Sequence, residues 1–595
     1  MKTFQSRDDV PVHEKWRLED LYSNLDRWEQ DFANVLEMVK KLSSFDGEIH
    51  QAQDLLEYLK LSEELGLVYK CLYVYAMLKV DTDTRVNESQ ALLERISQVG
   101  QQISAATSFF KPFLLSLDES TLKQYLEEVK ELTYFEDDLY ELYRYKDHVL
   151  SKEKEEVLSQ MGDALSSPGK TFGMINNADI AFGEVTNDDG EKVSLTRGMY
   201  AKLIEDKDRQ KRKEAYKAYY KPYVQLQNTT ASTLATAVKN NVLMANLRRY
   251  PSALEKSLFA DEVPKQVYEN LIKVTKQNLE PMKRYVRVRK EMLGVDELRA
   301  YDLSVPLVDG VKKDISFDEA YETMLESLEP LGNEYVSTLR GFKEKRYIDV
   351  RETPGKRSGA YNIGVYGVHP FILLNHRDDL DSLFTLTHEC GHGMHSYYSS
   401  THQPPNRAGY SIFVAEVAST VNEVLLIRHL LERTNDKQMK KYLLNHFIDS
   451  FKGTMFTQVM FAEFEKITHE KAEAKEPLNA DVFHSIYERL FREYHGEELV
   501  IDDEVKFGWS RIPHFYRPFY VYKYATGYAA AIHLADQLLT GDQQTLNAYL
   551  TFLKSGSADT PLNLLRATGV DLTKPEPIEQ ALSTFGGLVD EFSAL

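Results

Sequence analysis

His388 and His392 stand four residues apart in LTHECGHGMHSYY, Leu386 to Tyr398, and Glu389 directly follows the first. On a helix this spacing puts both imidazoles on one face, one turn apart, where two nitrogens can converge on one ion. Zinc suits such a pair, because nitrogen ligands fit a small tetrahedral ion and the adjacent glutamate can reach a water at the open position. Amide hydrolysis at neutral pH needs a better nucleophile than free water. Zinc lowers the pKa of bound water to about 7. Glu389 would take the proton released and later return it to the leaving amine. With 16 histidines in the chain, an HExxH can also arise by chance, so the reading needs a third ligand.

A metzincin would place glycine three residues and histidine six residues after the second histidine, but His395 and Tyr398 stand there. The next helical pattern, SIFVAEVASTVNEVLLIRHLLER, carries Glu416 and Glu423 on one face among Phe413, Val414, Val417, Val421 and Leu425. Carboxylates on a largely apolar stripe are costly to bury without a cation or a donor. Glu416 is therefore expected as the third ligand and Glu423 as an acceptor that orients a ligand histidine. The plain alternative is a solvated helix edge. Gly391 and Gly393 each cost a helix about 1 kcal/mol relative to alanine. Close approach of the helix that brings Glu416 would explain them. Cys390 reads as a packing residue rather than a nucleophile.

Several elements must hold these residues in place. From about Trp28 to Lys146, Leu55, Leu56, Tyr58, Leu59, Leu65 and Tyr69 recur at helical spacing, with breaks expected at 44–47, at 81–83 and at SSPG, Ser166 to Gly169. The stretch Ile180 to Leu195 reads as a hairpin turning at NDDGE and marks a boundary between an N-terminal helical region, 1–190, and a catalytic region, 191–595. Helical patterning resumes at 197–293 and 317–345. YIDV, TPGKRSGAYNIGVYG and HPFILLN then suggest a small sheet joined by loops at glycines 355, 359, 364 and 367. A sheet edge beside the site can pair with an extended peptide without reading its side chains.

The chain has 595 residues, which suggests two to four lobes. Apolar residues make up 43% and charged residues 28%, as in globular proteins, and the formal net charge of −20 argues against nucleic acid or an anionic membrane as partner. Two distant cysteines, Cys71 and Cys390, point to a reducing compartment. MKTFQSRDDVPVHEKW has no apolar secretory core, and no stretch reaches the roughly 18 apolar residues of a membrane span, so the expected location is the cytoplasm.

HECGHGMHS followed by a glutamate in FVAEVAST resembles the thimet oligopeptidase and neurolysin family, and more closely its bacterial oligoendopeptidase F branch. KWRLEDLY at Lys15 to Tyr22, PGKRSGAY at Pro354 to Tyr361 and RIPHFYRPFYVYKYATG at Arg511 to Gly527 extend the resemblance over much of the chain. It implies a mainly α fold, with two helical lobes bounding a deep channel. It also implies an endopeptidase acting on short unstructured peptides, with one zinc held by His388, His392 and Glu416 and with Glu389 as base. In the thimet branch a histidine and tyrosines contact the scissile carbonyl. Here His514 precedes Tyr516, Tyr520, Tyr522 and Tyr524 at a different spacing. His514 and Tyr522 are the preferred donors and Tyr520 the next, against the alternative that the rings pack in a helix. Arg517 is left open between a substrate contact and a structural one.

Three rival readings are weaker. An aminopeptidase should carry a GxMEN-type motif, which is absent. A structural zinc would need a fourth protein ligand, and none is evident. A peptide-binding scaffold with a vestigial site would not need to keep every metal and acid-base position. A monomer is favoured as the oligomeric state.

Overall fold

The computed structural model describes residues 4–186, 190–308 and 314–595. The chain divides into two compact units. One comprises Met1–Lys152, Lys312–Leu426 and Leu534–Thr568; the other comprises Glu153–Val311, Ile427–His533 and Gly569–Leu595. Each is built from three separate stretches, whereas a single division near residue 190 gives two continuous regions. Both are mainly helical.

In the first unit, helices Leu25–Ser43, Ala52–Thr82 and Asn87–Thr107 bury Trp28, Val35, Leu55, Leu56, Tyr58, Leu72 and Ile96 in one apolar core. The first of these helices starts where the Asn24 side chain accepts the Arg27 N–H at 3.0 Å, and it ends at the break expected near Ser44. The second ends at Thr82, beside the Asp81–Asp83 break.

The glycine-rich stretch forms a three-stranded sheet. Phe371–His376 lies in the centre, parallel to Ile348–Arg351 on one side and antiparallel to Tyr361–Ile363 on the other. No described strand pairs with the outer edge of Tyr361–Ile363. Two of the family-like segments are held by this sheet. Trp16 packs edge-on against Phe371 with ring centroids 6.3 Å apart. The Lys356 ammonium is enclosed by the Arg351 and Leu374 carbonyls, at 2.7 and 2.6 Å, and pairs with Asp349 at 2.7 Å. An enclosed ammonium needs that many partners to offset its lost hydration.

In the second unit, Glu184–Thr186 and Lys192–Ser194 pair antiparallel, while Asn187 to Asp189 of the expected turn lie outside the described residues. Leu298–Arg299 and Leu499–Val500 form a short parallel pair. SSPG does not stop a helix. Gly162–Met174 continues through the buried Pro168 and is followed by a widened turn at Ile175–Asp179. Tertiary packing outweighs the proline's missing donor here: the Phe172 ring stacks on Tyr516 at 4.4 Å. Among the described residues no helix is long and apolar enough to cross a membrane.

Candidate active site

The central strand Phe371–His376 runs almost directly into the helix Leu380–His402, which carries the HExxH residues. Asp378 in the connection has a left-handed φ of 60°, a conformation uncommon for non-glycine residues but better tolerated by Asp and Asn than by most. Arg351 contacts the Asp378 carboxylate at 2.6 Å while its other side is gripped by Glu14 at 2.8 and 2.9 Å. Asp379 then caps the helix by accepting the Ser382 N–H at 2.8 Å. The metal-binding candidates are thus aimed by a sheet-anchored turn.

His388, His392 and Glu416 come together as one group that could hold a metal ion. The two Nε2 atoms lie 3.1 Å apart, and Glu416 Oε2 lies 3.6 Å from His388 Nε2 and 3.7 Å from His392 Nε2. A triangle with these edges is close to one face of a tetrahedron with centre-to-vertex distances of about 2.1 Å, the length of zinc bonds to nitrogen and carboxylate oxygen. The donor set therefore fits zinc. Both imidazoles are supported from behind. His388 Nδ1 donates to Glu423 Oε1, and His392 hydrogen-bonds the backbone of Ala415. Ser419 Oγ donates to Glu416 Oε2 at 3.5 Å.

Glu416 and Glu423 arrive on the helix Ile412–Arg433. A Cβ on Gly391 would lie 2.6 Å from Ser419 Cα and 2.8 Å from the Ala418 carbonyl oxygen, so this glycine admits the second helix. Gly393 has a different reason. Its Cβ would meet Phe342 and the Ile372 side chain at 2.9 and 3.0 Å, on the sheet side of the helix. Cys390 is fully buried, and burial pushes its thiol up, away from the thiolate a nucleophile would need.

Glu389 is 7% exposed. Burial, reinforced by the Glu416 and Glu423 carboxylates and opposed by His388, pushes its carboxyl up to about 7. A group poised near neutrality can both accept and return a proton. Glu389 lines a cavity of about 420 Å³ with Ala360, Asn375, His376, Arg377 and Thr385. One residue that the sequence analysis missed is Tyr410. Its hydroxyl bonds Ser396 Oγ at 2.8 Å, and burial together with nearby Glu416 and Glu389 pushes it up to about 12. A tyrosine outside any motif gives no signal in a single sequence.

Residues 202–584 match the peptidase family M3, and residues 114–182 match a region described as oligopeptidase F. The chain is 41% identical to oligopeptidase PepF of Bacillus subtilis (strain 168), over 99% of this chain and 88% of the relative. The chain belongs to peptidase family M3. Membership makes it a metallo-oligopeptidase. It is also 36% identical to the group B oligopeptidase PepB of Streptococcus agalactiae, over 98% of this chain and 96% of that protein. The solved structure of oligoendopeptidase-F from Enterococcus faecium superposes with a TM-score of 0.76 at 34% identity, covering 96% of this chain and 98% of that one.

In this M3 peptidase the other expected donors belong to the second unit, and they separate into two groups. His514, Tyr520 and Tyr524 are half-buried and cluster, with the His514 ring 6.2 Å from Tyr520 and 6.1 Å from Tyr524. Tyr522 is not with them. Its ring is 1% exposed and packs 5.2 Å from Tyr268 in the interior of that unit. Two residues apart on the helix Tyr522–Leu538, side chains 522 and 524 point about 200° apart, and the preferred tyrosine of the sequence analysis points into the core. Arg517 is exposed.

Proposed function

We propose that this M3 peptidase is a zinc-dependent endopeptidase that hydrolyses internal bonds of short, unstructured oligopeptides. The observation that carries this reading is the triangle of His388 Nε2, His392 Nε2 and Glu416 Oε2, with the buried Glu389 next to the first ligand in the chain. A zinc ion held there would supply Lewis acidity, polarising the scissile carbonyl and acidifying a water. Glu389 takes the proton of the attacking water and delivers it to the departing amine, a role its place beside the first ligand supports. Glu423 keeps His388 in the tautomer that turns Nε2 toward the ion. His514 and Tyr520 donate hydrogen bonds to the developing oxyanion, a role supported by the family resemblance and by their clustering. The outer edge of Tyr361–Ile363 holds the peptide backbone in extended form. Sparse cysteines support work in the cytoplasm, and the acidic net charge supports peptides rather than nucleic acid as partners, the enzyme acting as a monomer.

The test is Glu389→Gln. This variant keeps one equivalent of zinc, measured by elemental analysis, while turnover of a blocked peptide falls at least about a hundredfold, as loss of a general base requires. Unchanged turnover would remove Glu389 from the chemistry.

A further inference from the structure

A second cleft, of about 500 Å³, opens beside the metal centre in the same unit and is lined by Lys70, Asn362, Gly364, Ser396 and Tyr410, among others. It adjoins the centre through three shared elements. Ser396 lies one turn after His392 on the ligand helix, Tyr410 feels the Glu416 and Glu389 carboxylates, and Asn362 belongs to the edge strand. Asn362 Nδ2 donates to Ser396 Oγ at 3.0 Å, which ties the strand to the helix at the cleft wall.

Lys70 is the only charged side chain among the described residues that line this cleft. No carboxylate of the described residues pairs with it, although the chain has 92 acidic residues against 72 basic ones. Lys70 is an exposed residue on the cleft wall, and the partly enclosed surroundings of its side chain lower the ammonium below the ordinary lysine value. An ammonium open to solvent with no carboxylate beside it can form a charge-assisted hydrogen bond to an incoming anion.

The edge strand has a cavity at each end. Gly359 and Ala360 line the one that contains Glu389, while Asn362, Ile363 and Gly364 line the one that contains Lys70. A strand advances about 3.4 Å per residue, so Gly364 lies about 13 Å along from Ala360. A peptide lying along this edge reaches the lysine on the order of three to four residues from the bond that faces Glu389.

We infer that this cleft is a carboxylate-binding subsite, in which Lys70 pairs with a carboxylate of an extended peptide lying along Tyr361–Ile363. The inference rests on the peptidase reading. The carboxylate is either the peptide's C-terminus or an Asp or Glu side chain, since both present the same two oxygens to the ammonium.

The test uses the full-length, zinc-loaded protein and internally quenched peptides blocked at both ends, with Glu, Gln or Lys placed at each position two to five residues from the cleaved bond. A parallel series ends in a free acid or an amide. The wild type favours the carboxylate form at one position by about fivefold or more in kcat/KM, carried mainly by KM, as a charge-assisted hydrogen bond implies. In Lys70→Met the Glu-to-Gln ratio falls to about one. In Lys70→Arg the ratio persists, and in Lys70→Glu it inverts toward peptides with Lys at that position. A side-chain dependence assigns an acidic residue; a dependence on the free end assigns the C-terminus. No preference at any position, or a preference that survives in Lys70→Met with an unchanged melting temperature, overturns the inference. If the wild type cleaves none of the neutral peptides, the peptidase reading itself falls, and the inference with it.

Discussion

Glu423 accepts the Nδ1 hydrogen of His388, so one carboxylate of the helix Ile412–Arg433 braces a metal-ligand candidate while another, Glu416, faces the same ion site. Burial opposes protonation of His388, yet the Glu423 carboxylate holds the imidazole up at about 9. Removing this brace frees the ring to turn and to change tautomer. Glu423→Ala is expected to weaken zinc binding about ten- to a hundredfold, measured by competition with a chromophoric chelator. Glu423→Gln, whose amide oxygen can still accept, should lose less.

Gly391 tests the helix approach. In open space, alanine would stabilise the helix by about 1 kcal/mol relative to glycine. Here its Cβ would collide with Ser419 Cα and the Ala418 carbonyl, and backbone atoms cannot step aside as a flexible side chain can. Gly391→Ala should therefore lower stability by about 1 to 3 kcal/mol. It should also weaken zinc binding, because the displaced helix carries Glu416. A melting temperature equal to or above that of the wild type would show that the helices do not meet there.

The His514 cluster makes a kinetic prediction. Donors to an oxyanion act once the carbonyl has been attacked, so their loss lowers kcat more than it raises KM. His514→Ala and Tyr520→Phe should lower kcat by about ten- to a thousandfold with zinc content unchanged. Tyr522→Phe alters a buried ring and should change thermal stability by about 1 kcal/mol, leaving kcat near wild type. A crippled Tyr522→Phe beside a silent Tyr520→Phe would restore the register expected from the sequence.

Glu465 gives the stability a pH dependence. It is 1% exposed in the helix Thr457–Glu473, and its Oε1 accepts the N–H of Phe519 at 3.0 Å, at a left-handed residue with φ of 52°. Burial pushes its carboxyl well above the ordinary 4.5, and the Phe519 N–H offsets that only in part. The folded state keeps a proton that the unfolded chain has released. Glu465 therefore contributes its full stability below about pH 4.5 and loses it as pH rises from there toward the folded value. Glu465→Gln cannot ionise. Its stability relative to wild type should grow with pH above about 4.5, by at most about 1.4 kcal/mol per pH unit, read from chemical denaturation of both proteins at pH 4.5 to 8. Parallel curves would mean that Glu465 is ionised in the folded protein.

What the sequence made legible was periodic or local. The histidine pair, the two glutamates on an apolar stripe and the glycine-rich sheet all follow from spacing that one helix or one strand fixes. The collision at Gly391 could be anticipated because a costly glycine in a helix demands a neighbour, but at Gly393 that neighbour is the sheet and its flanking Phe342. SSPG misled because the packing of Phe172 carries the helix through Pro168. The register of the tyrosines was illegible for a related reason. Tyr520 precedes the helix that starts at Tyr522, so period counting does not extend across the two. Lys70 and Tyr410 stand in no motif, and only the fold brings them together in the cleft beside Asn362 and Ser396.

The most direct test of the central claim is mass mapping of one N-acetylated, C-amidated peptide incubated with the metal-free protein before and after addition of one equivalent of zinc. The account predicts an intact peptide before addition, and internal fragments after it, with both blocked ends retained on the products. Internal cleavage by the metal-free protein, or an intact peptide after zinc has bound, would contradict it.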